Sequence, residues 1–117
     1  MLRSMLKSKI DGMTVTQTEL DYAGSITLPP EVVAAADLLN GEQVDVVNLN
    51  NGARITTYII VGEAGGCGVC LNGPAARTGL VGDRIHILNY GVCDDAEARA
   101  LRPAVVHVDE QNRVVGR

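Results

Sequence analysis

The 117-residue chain has no tryptophan, no phenylalanine and only three tyrosines. Its core must therefore be built from Val, Ile, Leu and Ala, and so few rings argue against a surface that reads nucleic acid by stacking bases on them. Positive charge is also short: ten Lys plus Arg stand against fourteen Asp plus Glu, giving a formal charge of −4 and a pI near 5.0. That is the wrong sign for a small nucleic-acid binder. No apolar run approaches the ~20 residues of a membrane-spanning helix, and Met1–Ile10, which carries Arg3, Lys7 and Lys9, lacks the uninterrupted apolar stretch of a secretion signal. The expectation is a cytoplasmic protein with neither a membrane nor a nucleic-acid partner. Three cysteines, Cys67, Cys70 and Cys93, are an odd number in such a chain and argue against a disulfide framework.

Alternation of apolar and polar residues is abundant. It runs from Val44 to Val61 and is broken once, by Asn50-Asn51-Gly52, a hairpin turn signal. Further strand-like runs are Met13–Thr16, Ser25–Leu28, Gly68–Leu71, Arg84–Asn89 and Ala104–Val108. Short strands at this spacing predict a single mainly β domain, closed or nearly closed into a barrel. Two short helices are expected on its periphery. The first spans Pro30–Leu39 with Val33, Ala36 and Leu39 on one face and Asn40-Gly41 as its stop; the second spans Asp94–Leu101, halted by Pro103. Asn72-Gly73-Pro74-Ala75-Ala76 reads as a turn into one helical turn, and Val81-Gly82-Asp83 as the turn before the next strand.

Residues that usually carry chemistry are few: two histidines, two lysines and no serine after Ser25. Cys67-Gly-Val-Cys70 has the spacing of a metal-binding or redox pair. Zinc, however, takes roughly four ligands, only Cys93, His86 and His107 remain to complete a set, and a thioredoxin-like pair should open a helix, whereas Gly68–Leu71 reads as strand; no metal is expected. His86 and His107 both sit inside strand-like runs, where a hydrogen-bonded structural histidine is the plain reading. Tyr22-Ala23-Gly24-Ser25 precedes another strand. Glycine there permits backbone strain that brings a hydroxyl toward its own preceding carbonyl, although a Gly-Ser pair alone is ordinarily a turn.

Four separated pieces change that balance. Met1-Leu-Arg-Ser-Met-Leu-Lys-Ser-Lys9-Ile10, Tyr22-Ala-Gly24-Ser25, Asn51-Gly-Ala-Arg54-Ile-Thr-Thr57-Tyr58 and Asn72-Gly73-Pro-Ala75-Ala76 occur in this order and at matching separations. Together they resemble the pyruvoyl-dependent L-aspartate 1-decarboxylases, bacterial enzymes that make β-alanine for pantothenate and hence coenzyme A. The resemblance extends from residue 1 to about residue 110. It implies a double-psi β-barrel with short peripheral helices, assembled as a homotetramer with active sites at subunit interfaces. It also implies a zymogen. The Ser25 hydroxyl attacks the Gly24 carbonyl, the resulting ester β-eliminates, and hydrolysis leaves a covalently bound pyruvoyl group at the head of an α chain of residues 25–117, with residues 1–24 as the β chain.

Decarboxylation leaves a carbanion, and no ordinary side chain is an adequate electron sink. By resemblance, the substrate amine condenses with the pyruvoyl ketone as a Schiff base, which accepts the electron pair. Thr57 is the family residue that assists processing, and Tyr58 the one that returns a proton to the α-carbon; a phenol near pKa ~10 is protonated for that task. Arg54 and Lys9 are the cations for the two carboxylates of aspartate. Asn72 would polarise the reacting carbonyl, the Gly73, Pro74 and Ala75 backbone would let substrate sit close, and Tyr22 would form a wall.

Period two places Arg54, Thr56 and Tyr58 on one strand face and Thr57 on the other. Either a bulge re-aims the strand or each face meets a different subunit, as the resemblance implies. Asp11 and Gly12 depart from the family pattern, in which a histidine and a basic residue follow Lys9-Ile10. An acid there either pairs with the Lys9 ammonium or repels an acidic substrate. Two other readings remain open: an uncleaved barrel of the same shape acting as a binding module, and a Cys67/Cys70 redox or metal module.

Overall fold

A computed structural model of the chain describes residues 1–116. The strands are β1 (Arg3–Thr14), β2 (Gln17–Glu19), β3 (Ser25–Leu28), β4 (Gln43–Asn48), β5 (Arg54–Val61), β6 (Cys70–Asn72), β7 (Arg84–Cys93), β8 (Ala104–Val108) and β9 (Val114–Gly116). They form one sheet in the order β2-β6-β3-β5-β4-β7-β1-β8-β9. β1 and β2 lie far apart in that order, yet only Val15 and Thr16 separate them in the chain. The sheet therefore has to curl back on itself. It closes where the Val15 N–H donates to the Asp83 carbonyl and the Thr16 N–H to the Val69 carbonyl. The fold is mainly β, a double-psi β-barrel flanked by helices α1 (Pro30–Ala35) and α2 (Asp95–Ala100). No described helix is long and apolar enough to cross a membrane.

Aliphatic side chains fill the barrel, among them Ile10, Leu28, Val44, Ile59, Leu71 and Ile87, each almost wholly removed from solvent. The expected hairpin is present between β4 and β5. Gly52 takes φ +76° at its tip, and the buried Asn48 side chain accepts from the Asn50 and Asn51 N–H groups, a turn built by an Asx side chain.

Several boundaries differ from the expectation. The N-terminal segment, for which alternation gives no strand before Met13, is the first part of β1. Its buried positions include Ser8 and Gly12, and its pairing with β7 shifts register between Leu6 and Ser8 and again between Ile10 and Met13. Small or polar inward residues and bulges both erase the apolar period. Ser8 is nevertheless satisfied, since its hydroxyl donates to the Ala36 carbonyl. β7 continues to Cys93, and β6 starts only at Cys70.

Helix α1 stops at Ala35 rather than Leu39. Asp37 takes φ +56°, a left-handed conformation that Asp tolerates better than most residues. The Leu38 N–H returns to the Val33 carbonyl and the Asp37 N–H to the Ala34 carbonyl, a Schellman closure. Leu38 is thereby buried and Leu39 exposed, so Leu39 does not share the buried face of Val33 and Ala36. Helix α2 begins as expected, with Asp94 and Glu97 forming a reciprocal capping box.

Asp83 closes the turn before β7. Its carboxylate accepts from Asn48 Nδ2 and from the Leu80 N–H, each at 2.9 Å, and these bonds hold its pKa below the ordinary carboxylate value. A carboxyl with a lowered folded-state pKa stabilises fully above its unfolded value and loses that contribution as pH falls through the folded one. Asp83→Ala is accordingly expected to lower the urea midpoint at neutral pH, with a smaller deficit at about pH 2 to 3. A deficit independent of pH contradicts this role.

Candidate active site

β3 and β6 run antiparallel with Ser25 opposite Asn72 and Thr27 opposite Cys70. Residues two apart on a strand share a face, so these four polar side chains form a square on one side of the ladder. The Asn72 amide ties it together. Its Nδ2 donates to Ser25 Oγ at 3.0 Å and to Thr27 Oγ1 at 2.9 Å, while its Oδ1 lies 3.1 Å from Cys70 Sγ. The Ser25 hydroxyl donates to the Ala23 carbonyl at 3.2 Å. Ser25 and Asn72 are buried, and buried polar groups of this kind are tolerable only when bonded. The thiol stays protonated: burial first, and the Glu19 charge second, push its pKa up.

Gly73 follows at the start of a 3-10 turn, Gly73–Arg77. It takes φ +61°, and a Cβ there would stand 2.5 Å from the Tyr22 carbonyl oxygen and 2.9 Å from both Gly24 N and Cα. The segment before Ser25 thus rests directly on Gly73. Gly24 in turn has Pro74 against it: a Cβ on Gly24 would meet Pro74 Cδ at 3.3 Å. The turn expected after Asn72 exists and serves as the seat of the Gly24-Ser25 peptide.

A pocket of about 450 Å³ opens beside this peptide, lined by Gly24, Ile55, Thr56, Thr57, Tyr58, Pro74, Ala75 and Thr78. It gathers side chains from both faces of β5 without a bulge, because the β4–β5 register is unbroken from Gln43/Tyr58 to Val47/Arg54. The reason lies on the other edge. β3 pairs with β5 from Ile26/Ile59 onward, so ahead of that point β5 presents an open edge, and Thr57 and Tyr58 bracket it from opposite sides.

Arg54 and Lys9 are elsewhere. Arg54 points across β4, with Nη2 at 2.9 Å from Asp45 Oδ2 and 3.3 Å from the Tyr90 hydroxyl; these bonds, Tyr90 first, raise its pKa. Thr56 donates to the other Asp45 oxygen at 2.8 Å. Lys9 stands opposite Leu88, Leu88 opposite Asp45, and Asp45 opposite Thr56. Three strand spacings put Lys9 and Thr56 roughly 14 Å apart along one row. Tyr22 is exposed and meets Gly73 through its backbone.

Asp11 does not pair with Lys9. Its oxygens lie 2.9 Å from His86 Nδ1 and 3.2 Å from His107 Nδ1, leaving Lys9 without a carboxylate partner among the described residues. Burial lowers the His86 pKa despite Asp11, and the Gly12 nitrogen stands 3.1 Å from the same Nδ1. Among the described residues no three His, Cys, Asp or Glu side chains are grouped as a metal would require.

Residues 1–115 match the family described as aspartate decarboxylase. The chain belongs to the aspartate decarboxylase family. It is 53% identical over 115 residues to the aspartate 1-decarboxylase of Corynebacterium efficiens, covering 98% of this chain and 85% of that protein. It is 50% identical to the aspartate 1-decarboxylase of Heliobacterium modesticaldum, with 98% and 87% covered. In this member of the aspartate decarboxylase family, a single chain brings together Gly24, Ser25, Thr57, Tyr58, Asn72, Gly73, Pro74 and Ala75. Thr27, Thr56, Cys70 and Thr78 join the site without having been singled out in the sequence for it. Period two from Ser25 and from Asn72 is the signal that reaches Thr27 and Cys70.

Gly73→Ala forces backbone against backbone and is expected to destabilise by about 2 kcal/mol or more. Gly41, also left-handed at φ +85° but with open space around it, bears only the conformational penalty, ~1 kcal/mol. Denaturant unfolding of the two alanine variants checks the order; equal losses contradict the contact.

Proposed function

We propose that this chain decarboxylates L-aspartate to β-alanine and carbon dioxide after cutting itself between Gly24 and Ser25. The observation that carries the reading is the buried Ser25 at the head of β3. Its hydroxyl is bonded on both sides, and the preceding peptide is pressed onto Gly73. In the cut, Ser25 Oγ adds to the Gly24 carbonyl carbon and the Gly24–Ser25 C–N bond breaks to give an ester. Loss of the Ser25 α-proton and of the Gly24 carboxylate follows, and water enters as ammonia leaves. Extending the parallel β3–β5 register back from Ile26/Ile59 sets Gly24 level with Thr57, which suits the Thr57 hydroxyl to stabilise the developing oxyanion.

The residues present fit a pyruvoyl group at position 25. Asn72 Nδ2 lies 3.0 Å from Ser25 Oγ, which places an N–H donor beside residue 25, whose nitrogen is the atom that the ketone oxygen replaces. When present, that group supplies the electron sink which ordinary side chains lack. The chain supplies the rest. Asn72 polarises the carbonyl, Tyr58 stands in the pocket wall as proton donor, and the Pro74-Ala75 turn shapes the floor. Arg54 takes a carboxylate: its Nε and Nη2 both lie against Asp45 Oδ2, and a guanidinium is suited to planar anions.

Lys9 and Arg54 lie on the outer face of the β1-β7-β4-β5 rows, the face to which Thr56 and Tyr58 also belong, and Lys9 stands roughly 14 Å from Thr56. A four-carbon diacid cannot span that separation, so the site is read as completed between copies in a homotetramer, with Lys9, Arg54 and Tyr22 facing a neighbour's pocket.

Ser25→Ala is expected to abolish both cleavage and decarboxylation, whereas Tyr58→Phe cleaves and turns over slowly. A cleaved, active Ser25→Ala protein contradicts the reading, and an uncleaved but fully folded wild type favours a binding module. Arg54→Ala should lower kcat/KM for aspartate roughly tenfold or more; unchanged kinetics would show that another cation holds the carboxylate.

A further inference from the structure

Cys70 is the one corner of the square around Ser25 to which the proposed reaction gives no task. Its thiol lies directly opposite Thr27 on β6, is buried at 8% exposure, and points at Asn72 Oδ1 from 3.1 Å. Among the described residues the only other acceptor within its reach is the Leu71 carbonyl at 3.9 Å, too long to compete.

A primary amide can occupy its site in two orientations that differ by a half-turn, exchanging a carbonyl for an NH₂ at nearly the same positions. Which one is populated depends on the neighbours. Toward Ser25 and Thr27 either orientation finds partners, because a hydroxyl both donates and accepts. Those two residues therefore leave the choice open at the cost only of the Ser25 bond to the Ala23 carbonyl. On the far side the partner is a protonated thiol, a donor and a poor acceptor, which favours the carbonyl. The NH₂ is thereby directed at Ser25 Oγ.

We propose that Cys70 is a positioning residue: its S–H bond to Asn72 Oδ1 holds the amide with Nδ2 toward Ser25 Oγ, the orientation in which an N–H stabilises the charge that gathers on Oγ as the Gly24 carboxylate leaves. This rests on the reaction proposed above. Without the thiol, Oδ1 is left buried and unpaired, a state that buried acceptors avoid. The amide then turns, the Ser25 hydroxyl finds a carbonyl instead of a donor, and Oγ, on which negative charge gathers as the Gly24 carboxylate leaves, loses its stabilising N–H. Cys70 acts only through Asn72 and exchanges no electrons.

The test compares Cys70→Ser, Cys70→Ala and Cys70→Val with the wild type by two readouts. One is the rate of appearance of the two chains by mass spectrometry; the other is hydrogen exchange of the Asn72 side-chain amide by NMR. Serine keeps a donor and is expected to cleave within about threefold of wild type with its amide equally protected. Alanine and valine should slow cleavage about tenfold or more and speed Asn72 exchange by a similar factor. A residue needed only to fill space gives the reverse order, since valine and alanine suit an apolar slot better than a buried hydroxyl. That order, or three variants indistinguishable from wild type, overturns the proposal. Should the wild type remain uncleaved, the reaction itself is at fault, and the exchange rates alone decide the role of Cys70. Should valine fail to fold, the alanine and serine pair carries the same contrast.

Discussion

The register of β3 on β6 is the constraint from which the candidate site follows. With Ser25 opposite Asn72, the serine hydroxyl receives an amide donor and the chain just before it falls onto Gly73. A slip of one residue would send Ser25 and Thr27 to the opposite face of the ladder and would lift Tyr22–Gly24 off Gly73, which has no Cβ to obstruct it. Gly73 makes the arrangement hold in three dimensions. Its left-handed backbone turns β6 sharply into the 3-10 turn, and its missing Cβ is the space that the Tyr22 carbonyl and Gly24 occupy. Packing and hydrogen bonding thus act on the same few atoms that the proposed chemistry uses.

A second constraint separates nucleophile from cations. Ser25 and Thr57 belong to the interior side of the barrel and its mouth, whereas Lys9 and Arg54 stand on the outer face of the rows that join β1, β7, β4 and β5. Asp45, at the middle of that face, bonds both Arg54 and Thr56 and ties down the half-exposed guanidinium. Asp11, which could have opposed an acidic substrate, is instead turned toward His86 and His107, so its charge is spent next to imidazoles and the Lys9 ammonium is left available.

Much of this was legible in the residues. Asn50-Asn51-Gly52 announced the hairpin, Asp94 with Glu97 the start of α2, and the alternation of β4, β5 and β7 the barrel. The first half of β1 was hidden because its inward residues include Ser8 and Gly12 and its pairing is bulged. Helix α1 looked longer than it is because Asn40-Gly41 is a strong stop signal, yet Asp37 adopted the left-handed turn earlier. The site divides along similar lines. Gly24, Ser25, Thr57, Tyr58 and Asn72 were recognisable from motif order, but their mutual placement depends on pairings between distant strands that no local pattern encodes. The conflict between Thr57 and Tyr58 dissolved for a tertiary reason, the absence of β3 alongside the first half of β5. Cys70 was read against Cys67, its neighbour in sequence, when its partner in space is Asn72.

The most direct measurement is the intact mass of the purified wild-type protein, taken with and without a reagent that captures ketones. Two chains are expected, residues 1–24 and a longer one starting at position 25, with only the longer chain gaining the reagent's mass. A single chain of 117 residues that never gains that mass, in a sample shown to be folded, would contradict the account.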